Sequence, residues 1–307
     1  MNICFFGASV IQQQHTSGLV HVFKNLIETK QLNYNIIQKG YGSMHLNDAG
    51  ICKIDEIIKQ KPMYCFIDWF STWLIITDKI TLFVYLDVII RNLMLINCKI
   101  CFLLLDRADM CDNRLIMYKL VKEYSELYNL HYIEIYNNSN VKEILRDTVH
   151  TNELGAKLYG DKIYDYFINH MINDNIIYTN IPKENEHSNI KILEVNKEIH
   201  NEIIMTGKFK IIGILQKIGN FSGIVNITLN NKDTHKCTIW DEWCYFERDT
   251  IKISTPPSSE ILHIKITQDT FNTDRCKDNK INFNEFKKYM HIYEIYYLGE
   301  LSLEKIV

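Results

Sequence analysis

Ser9, Asp147 and His150 have the side-chain types that nucleophilic catalysis requires, although the serine and the histidine lie far apart in the sequence. Ser9 follows Gly7 and Ala8 in a turn of small residues after an apolar segment, a position where a hydroxyl stays accessible. Asp147 lies one helical turn before His150, so its carboxylate can orient the imidazole through one ring nitrogen while the other faces a serine hydroxyl. The pattern predicts a serine nucleophile with a histidine base. The structural alternative is that Asp147 caps a helix and Ser9 only occupies a turn.

In this order the residues resemble the blocks of the SGNH (GDSL-like) hydrolases, a superfamily of serine esterases and acyl-transfer enzymes, and the resemblance covers residues 1–175. Residues 6–10 (FGASV) are similar to the first block, with Ser9 at the nucleophile position. Gly42 belongs to a segment, GYG, that resembles the second block, whose glycine donates a backbone N–H to the oxyanion. Asp147 and His150 match the fifth block, DxxH. The resemblance implies a Ser9–His150–Asp147 triad and an oxyanion hole that includes the amides of Ser9 and Gly42.

The third block departs from the family pattern. A Gly-x-Asn-Asp is expected after the third strand, but residues 66–72 read FIDWFST, so the asparagine that completes the oxyanion hole is missing. The Ser71 hydroxyl can replace it, and so can Asn47 from the loop after Gly42. Removing one oxyanion donor typically slows acyl transfer about 10²- to 10³-fold. A catalytically impaired carbohydrate-binding or assembly protein is therefore the alternative function.

Three further side chains are candidates for substrate contact because they follow predicted strands. Asp68 and Trp69 come at the end of the third strand, where a carboxylate beside an aromatic ring suits the hydroxyls and the apolar face of a sugar. Arg107 follows the fourth strand and can steer an anionic group, or it can form a surface ion pair with Asp106. The predicted function is a serine-dependent acyl ester hydrolase, either a carbohydrate O-acetylesterase or an O-acyltransferase acting on a saccharide or glycoconjugate.

The predicted chemistry requires neither a metal nor an organic cofactor. Residues 274–285 resemble an EF-hand loop, but Asn279 stands where glycine is required for the sharp turn. Cys98 and Cys101 form a CxxC inside an apolar strand, with no second pair at the spacing of a zinc site. Both segments are therefore interpreted as structural.

Composition indicates an ordinary globular chain. Its 307 residues allow about two domains, and a formal charge of -3 gives no reason to expect nucleic acid or an anionic membrane as a partner. The nine cysteines are odd in number and mostly lie in apolar runs, which favours a reducing compartment. The apolar region near residues 81–96 contains Asp87 and Arg91, so it predicts a helix with one wet face and no membrane span. The expectation is a soluble cytoplasmic protein, since the N-terminus has no leader pattern.

Short apolar runs alternate with stretches of helical period up to about residue 175, a pattern typical of a parallel sheet covered by helices on both faces. The predicted strands are 2–6, 34–38, 64–68, 99–105 and 131–135, and the predicted helices are 17–29, 51–60, 79–96, 113–128 and 152–173. The expected fold is a three-layer, flavodoxin-like α/β domain over residues 1–178. Because the carboxyl ends of parallel strands share one edge, Ser9 and His150 are expected to meet there.

The pattern changes after a polar stretch, which is interpreted as a linker over residues 179–189. Residues 190–307 contain short alternating runs separated by Gly, Asn, Asp and Pro, which predicts an antiparallel β-sandwich or jelly roll. Within this accessory domain, residues 240–248 are rich in aromatic and charged side chains. They form either a sugar-stacking surface or a docking patch.

Overall fold

The computed structural model describes residues 1–136, 140–232, 234–241, 243–256, 259–268 and 285–307, which divide into two compact units, Met1–Ser188 and Asn189–Val307. The first unit contains a five-stranded sheet. Its strands are β1 (Asn2–Gly7), β2 (Asn35–Gly40), β3 (Tyr64–Asp68), β4 (Lys99–Leu105) and β5 (His131–Ile135). All four pairings are parallel and the order is β2-β1-β3-β4-β5, which confirms the predicted flavodoxin-like sheet.

The described residues of the first unit also form seven α-helices, of which the last two follow β5. They are α1 (Ser9–Gln12), α2 (Leu19–Thr29), α3 (Ile54–Lys59), α4 (Lys79–Leu95), α5 (Asp112–Tyr128), α6 (Val141–Ile144) and α7 (Glu153–Tyr166). Side-chain caps fix where two of them begin: Asp78 accepts a hydrogen bond from the amide of Thr81, and Asn152 accepts one from the amide of Gly155. The second cap sets the start of α7 directly after the segment that contains His150.

The centre of the sheet is buried on both faces. Every residue of β3 is buried, and Phe66 stacks on Phe5 of β1 with ring centroids 4.9 Å apart. Phe23 of α2 packs edge-on against both of these rings, and Phe167, which follows α7, packs against Phe66. This aromatic layer attaches α2 and α7 to one face of the sheet. Both helices begin near its carboxyl edge, because the side chain of Gln13, just after α1, bonds to Ser17 before α2 and to Thr151 before α7.

The second unit is an antiparallel sheet. Its strands are β6 (Lys191–Ile199), β7 (Glu202–Ile218), β8 (Ile224–Leu229), β9 (Thr234–Thr238), β10 (Arg248–Lys252), β11 (Ser259–Ile266) and β12 (Met290–Ile306). The order is β6-β12-β7-β11-β8-β9, and β10 pairs with β7. The long strands β7 and β12 approach closely at Gly207 and Gly299, both at positive φ, where an added Cβ would lie about 2 Å from a carbonyl oxygen of the opposite strand. The antiparallel accessory domain is thus confirmed.

The polar stretch predicted as a linker makes several contacts with α4 in the first unit. Arg91 donates to the carbonyl of Pro182 at 3.0 Å and pairs with Glu184 at 2.9 Å. Asn185 donates to the carbonyl of Val84 at 2.9 Å. These bonds attach the last part of the segment to the α/β domain.

Among the described residues, no helix is long and apolar enough to cross a membrane. Cys98, directly before β4, and Cys101, within it, are buried free thiols, and burial raises the pKa of both well above the ordinary value. The EF-hand-like segment lies outside the described residues except for Glu285. In the aromatic run 240–248, Arg248 pairs with Asp241, and its role in binding or docking stays a prediction.

Candidate active site

Ser9 is the first residue of α1, immediately beyond the carboxyl end of β1. The amide of Ala8 donates to the Asp68 carbonyl at 3.0 Å, which ties the turn before Ser9 to the end of β3. A Cβ on Gly7 would lie 2.2 Å from the same carbonyl oxygen, so only glycine fits at that position. Ser9 itself is half-buried, and its hydroxyl has no hydrogen-bond partner within the described part of the chain. The turn therefore holds an available hydroxyl at the sheet edge.

The Asp147–His150 pair lies in the segment between α6 and α7. Nδ1 of His150 is 2.8 Å from Oδ2 of Asp147, and the carboxylate also accepts the backbone N–H groups of Val149 and His150. Partial burial opposes ionisation of Asp147, but these hydrogen bonds outweigh it and lower the pKa of the carboxyl. The imidazole side chain keeps 26% of its surface exposed. The pair thus combines an oriented imidazole with access to solvent.

Two contacts hold this segment at the carboxyl edge of the sheet. The amide of Ala108, just after β4, donates to the Thr148 carbonyl at 2.8 Å. Thr151, directly after His150, exchanges hydrogen bonds with the side chain of Gln13, four residues after Ser9. The structure therefore brings the segments that carry Ser9 and His150 together, although no hydrogen bond joins these two side chains.

The predicted second block packs against α1. The amide of Tyr41 donates to the carbonyl of Gly7 at 2.9 Å, which fixes the loop after β2 beside the turn that precedes Ser9. A Cβ on Gly40 would meet the backbone nitrogen of Gln12 at 2.2 Å, and one on Gly42 would meet the Gln12 Oε1 atom at 2.3 Å. Glycine at these two positions allows the loop to contact Gln12, which lies one helical turn after Ser9.

Asp68 and Ser71 hydrogen-bond to each other in the loop after β3. The carboxylate accepts from the Ser71 amide at 3.2 Å and from the Ser71 hydroxyl at 2.7 Å. Asp68 is fully buried, and burial raises its pKa to about 6 against the opposing effect of these donors. The Ser71 hydroxyl is thereby engaged as a donor to Asp68.

Two buried guanidinium groups donate hydrogen bonds to backbone carbonyls of the same loop. Arg107 donates to the Ser71 carbonyl and forms a two-point pair with Asp109, at 2.6 and 2.8 Å. Arg114 donates to the two carbonyls that flank the Ser71 position. Sequence reasoning missed Arg114, because an arginine in the first turn of an amphipathic helix carries no signal that it points inward.

Trp69 is buried and Asn47 is half-buried. Trp69 packs edge-on against Phe6, with centroids 5.1 Å apart, and stacks on Tyr41. The Trp69 indole nitrogen and the Asn47 side-chain oxygen are buried, and neither has a hydrogen-bond partner in the described residues. The side chains of Asp68, Trp69 and Arg107 are all buried in this structure, so none of them is exposed to a saccharide here. Direct saccharide contact by these side chains stays a prediction.

A solved two-domain structure supports the fold, and two further solved structures are similar to the α/β unit alone. One solved structure, a two-domain esterase (CEX) active on acetylated mannans and co-crystallized with mannopentaose, is 10% identical, covers 100% of this chain and 91% of its own, and gives a TM-score of 0.66. The acetyl xylan esterase AlAXEase covers 54% of this chain and 98% of its own at 18% identity, with a TM-score of 0.47. A lipase/acylhydrolase from Enterococcus faecalis covers 54% and 94% at 19% identity, also with 0.47. Neither a protein-family model nor a curated protein matches the chain.

Proposed function

We propose that this chain, whose α/β unit has an SGNH hydrolase-like fold, is a serine-dependent hydrolase that removes an acyl group, acetyl being the smallest, from a saccharide. One observation carries the proposal. The His150 imidazole, oriented by Asp147 at 2.8 Å, belongs to a segment that is hydrogen-bonded to Gln13, one turn after Ser9, whose hydroxyl has no hydrogen-bond partner among the residues that the structure describes. A base, its orienting carboxylate and a nucleophile at one sheet edge are the groups that acyl transfer needs.

In the proposed reaction, the Nε2 atom of His150 takes the proton of Ser9 as the hydroxyl oxygen attacks the ester carbonyl. Asp147 stabilises the imidazolium that forms. The amides of Ser9 and Gly42 donate to the oxyanion. Collapse of the tetrahedral intermediate breaks the bond to the sugar oxygen, which takes the proton from His150 and leaves as a hydroxyl. Water then attacks the acyl-enzyme with His150 again as base, and the acid is released as the Ser9 oxygen takes the proton back from His150; in an acyltransferase, a second sugar hydroxyl takes the place of water.

Asn47 and Ser71 are the two candidates for a third oxyanion donor. Ser71 can turn toward the oxyanion only by giving up its 2.7 Å bond to Asp68. Asn47 loses no such bond, because its Nδ2 group, the atom that would donate to the oxyanion, makes no hydrogen bond among the described residues and its buried side-chain oxygen has no partner there either. We therefore place Asn47 before Ser71, since breaking a buried hydrogen bond has a cost that rotating an unbonded amide does not.

The saccharide part of the proposal has separate support. The two-domain esterase that aligns over the whole chain is described as active on acetylated mannans. An acylated saccharide presents hydroxyls beside an apolar ring face, which is the chemistry expected of Asp68 and Trp69 if the loop after β3 opens. Arg107 supports this loop through the Ser71 carbonyl and would affect substrate contact indirectly.

A fluorophosphonate probe tests the proposal, because it forms a covalent bond only with an activated serine. We expect labelling of the wild-type chain and no labelling of Ser9→Ala. Ser17→Ala is the matched control, since it removes a serine hydroxyl that only donates to the nearby Gln14 carbonyl at 3.3 Å, and its labelling should equal that of the wild type. A folded wild-type chain that takes up no probe and releases no acetate from acetylated manno-oligosaccharides would instead support the impaired, saccharide-binding alternative.

A further inference from the structure

We infer that Gln13 is a positioning residue that sets the placement of the base His150 relative to the nucleophile Ser9. The inference rests on the proposed function, because it assigns a role at that same site. Gln13 directly follows α1, and its side chain makes a long-range contact with the backbone of Thr151, 138 positions later.

The contact has the geometry of a paired backbone. Nε2 of Gln13 donates to the Thr151 carbonyl at 3.0 Å, while Oε1 accepts from the Thr151 amide at 3.1 Å. Because one planar amide satisfies both groups of a single residue, it fixes the orientation of that residue's backbone as well as its distance. His150 is covalently next to Thr151, so the imidazole takes its direction from this pairing.

Both ends of the contact are held rigidly. Thr151 is fully buried and Gln13 keeps only 8% of its surface exposed. The Thr151 hydroxyl donates to the Ser17 carbonyl at 2.7 Å, and Nε2 of Gln13 donates to that same carbonyl at 3.0 Å. The backbone carbonyl of Gln13 in turn accepts from the side chain of Gln38, at the carboxyl end of β2, at 2.8 Å. A continuous set of hydrogen bonds therefore runs from Gln38 of the sheet through Gln13 to Thr151, the residue after the base.

The position of Gln13 relative to Ser9 gives this contact its significance for the reaction. The two residues are one helical turn apart, so movement of Gln13 relative to the sheet moves the serine as well. Misplacement of a reacting group by about 1 Å can cost about 100-fold in rate. The amide of Gln13 donates to the backbone carbonyl of Ser9 at 3.2 Å, but the Gln13 side chain makes no hydrogen bond to the side chain of Ser9 or of His150. Its role is therefore positioning through the two segments it joins.

Gln13→Glu and Gln13→Met test the inference in the full chain with a small acetyl ester. Glu keeps the shape of the side chain but turns a carboxylate oxygen toward two carbonyls, whereas Met keeps the length and makes no hydrogen bonds. We expect kcat to fall about 100-fold in both, with KM changed by less than about two-fold, because Gln13 contacts no substrate. Only Glu should also move the pH midpoint of kcat upward, since a nearby negative charge favours the imidazolium.

Gln14→Glu is the matched control, because it makes the same charge change at the neighbouring exposed residue, and it should leave kcat unchanged. A second readout does not depend on catalysis: hydrogen exchange of the Thr151 amide should be slow in the wild type and fast in Gln13→Met. Folded Gln13 variants with wild-type kcat and slow Thr151 exchange would overturn the inference. If the wild-type chain hydrolyses no ester, the proposed function fails, while the exchange measurement still decides whether Gln13 holds the segment of His150.

Discussion

At the scale of single residues, Asp68 shows how the fold sets the state of one group. It ends β3 at the carboxyl edge, is fully buried, and is hydrogen-bonded by the Ser71 amide and hydroxyl. Burial favours the protonated acid, and the pKa rises to about 6. The loop after β3 therefore contains a carboxyl that ionises near neutral pH, beside the guanidinium groups of Arg107 and Arg114.

Asp68→Asn should change stability in a pH-dependent way. The pKa of the wild-type carboxyl is 3.8 unfolded and about 6 folded, so between these values the folded state binds more protons and wild-type stability falls as pH rises. Asparagine does not titrate, and its amide can still donate to the Ser71 hydroxyl. Relative to wild type, the variant should gain about 2 kcal/mol between pH 4 and pH 7. Urea unfolding of both proteins at the two pH values measures this; an equal difference at both would contradict it.

The residue scale also separates what the sequence predicted from what it did not. Asp147 and His150 meet because they lie one turn apart, so spacing alone predicted their contact, which the structure has at 2.8 Å. Gln13 is the middle one of three consecutive glutamines, and only its burial in the structure distinguishes it from its exposed neighbours. Its partner is on a distant segment, and a single sequence has no signal for such a pairing.

At the scale of elements, the packing of α2 on α7 determines where the segment of His150 lies. The two helices are in close contact at Gly160, which is buried; a Cβ there would lie 2.6 Å from a methyl carbon of Val22 and 3.2 Å from the Leu19 carbonyl oxygen. Val22 is β-branched and cannot withdraw a flexible end from that contact. Glycine at this position lets α7 approach α2 with its first turn directly after Thr151.

Gly160→Ala should therefore destabilise the protein, whereas the same change in an exposed helix stabilises it by about 1 kcal/mol. The overlap with Val22 forces the helices apart at an expected cost of about 1–3 kcal/mol. Thermal unfolding measures the loss, and the rate of fluorophosphonate labelling should fall with it because the amino-terminal end of α7 moves. Leu154→Ala on the exposed face of α7 is the control and should change both quantities little. A rise in Tm for Gly160→Ala would show that the two helices accommodate the added methyl group without moving apart.

The elements themselves followed largely from hydrophobic periodicity. The five predicted parallel strands appear within a residue or two of their expected bounds, because each is a short apolar run between polar turns. The four-residue helices α1 and α6 were not predicted, since so few residues show no helical period. The predicted last helix, 152–173, begins as expected at the Asn152 cap but changes to a π-turn at Phe167–Met171.

At the scale of the whole molecule, every proposed site residue lies in the first compact unit, Met1–Ser188. The second unit was predicted as antiparallel from its alternating runs, but β7 and β12 are each 17 residues long, more than any single run indicated. Their continuity depends on register shifts and on close approach at Gly207 and Gly299, which are pairwise features of two strands. One strand read alone does not contain that information.

The boundary between the units gives a prediction for two truncated chains. Residues 1–188 should fold and react with the fluorophosphonate probe at the rate of the full chain, because they contain the proposed triad, the turn at Gly7, the loop with Gly42 and the Gln13 contact. Residues 1–178 lack the segment whose Pro182, Glu184 and Asn185 are bonded to α4. Since the ion pair is largely exposed and the other bonds are neutral or partly exposed, their loss should lower the free energy of unfolding by about 1–3 kcal/mol.

Urea unfolding of the two truncated chains measures that difference, and probe labelling of each measures whether the site survives. Arg91→Ala in the 1–188 chain is the matched control: it removes two of the three contacts without shortening the chain, so its stability should fall between those of the two truncations. Equal stability of 1–178 and 1–188 would mean that the stretch belongs to the connection and not to the α/β domain. A folded 1–188 chain that no longer reacts, although the full chain does, would mean that the β domain contributes to the state of Ser9.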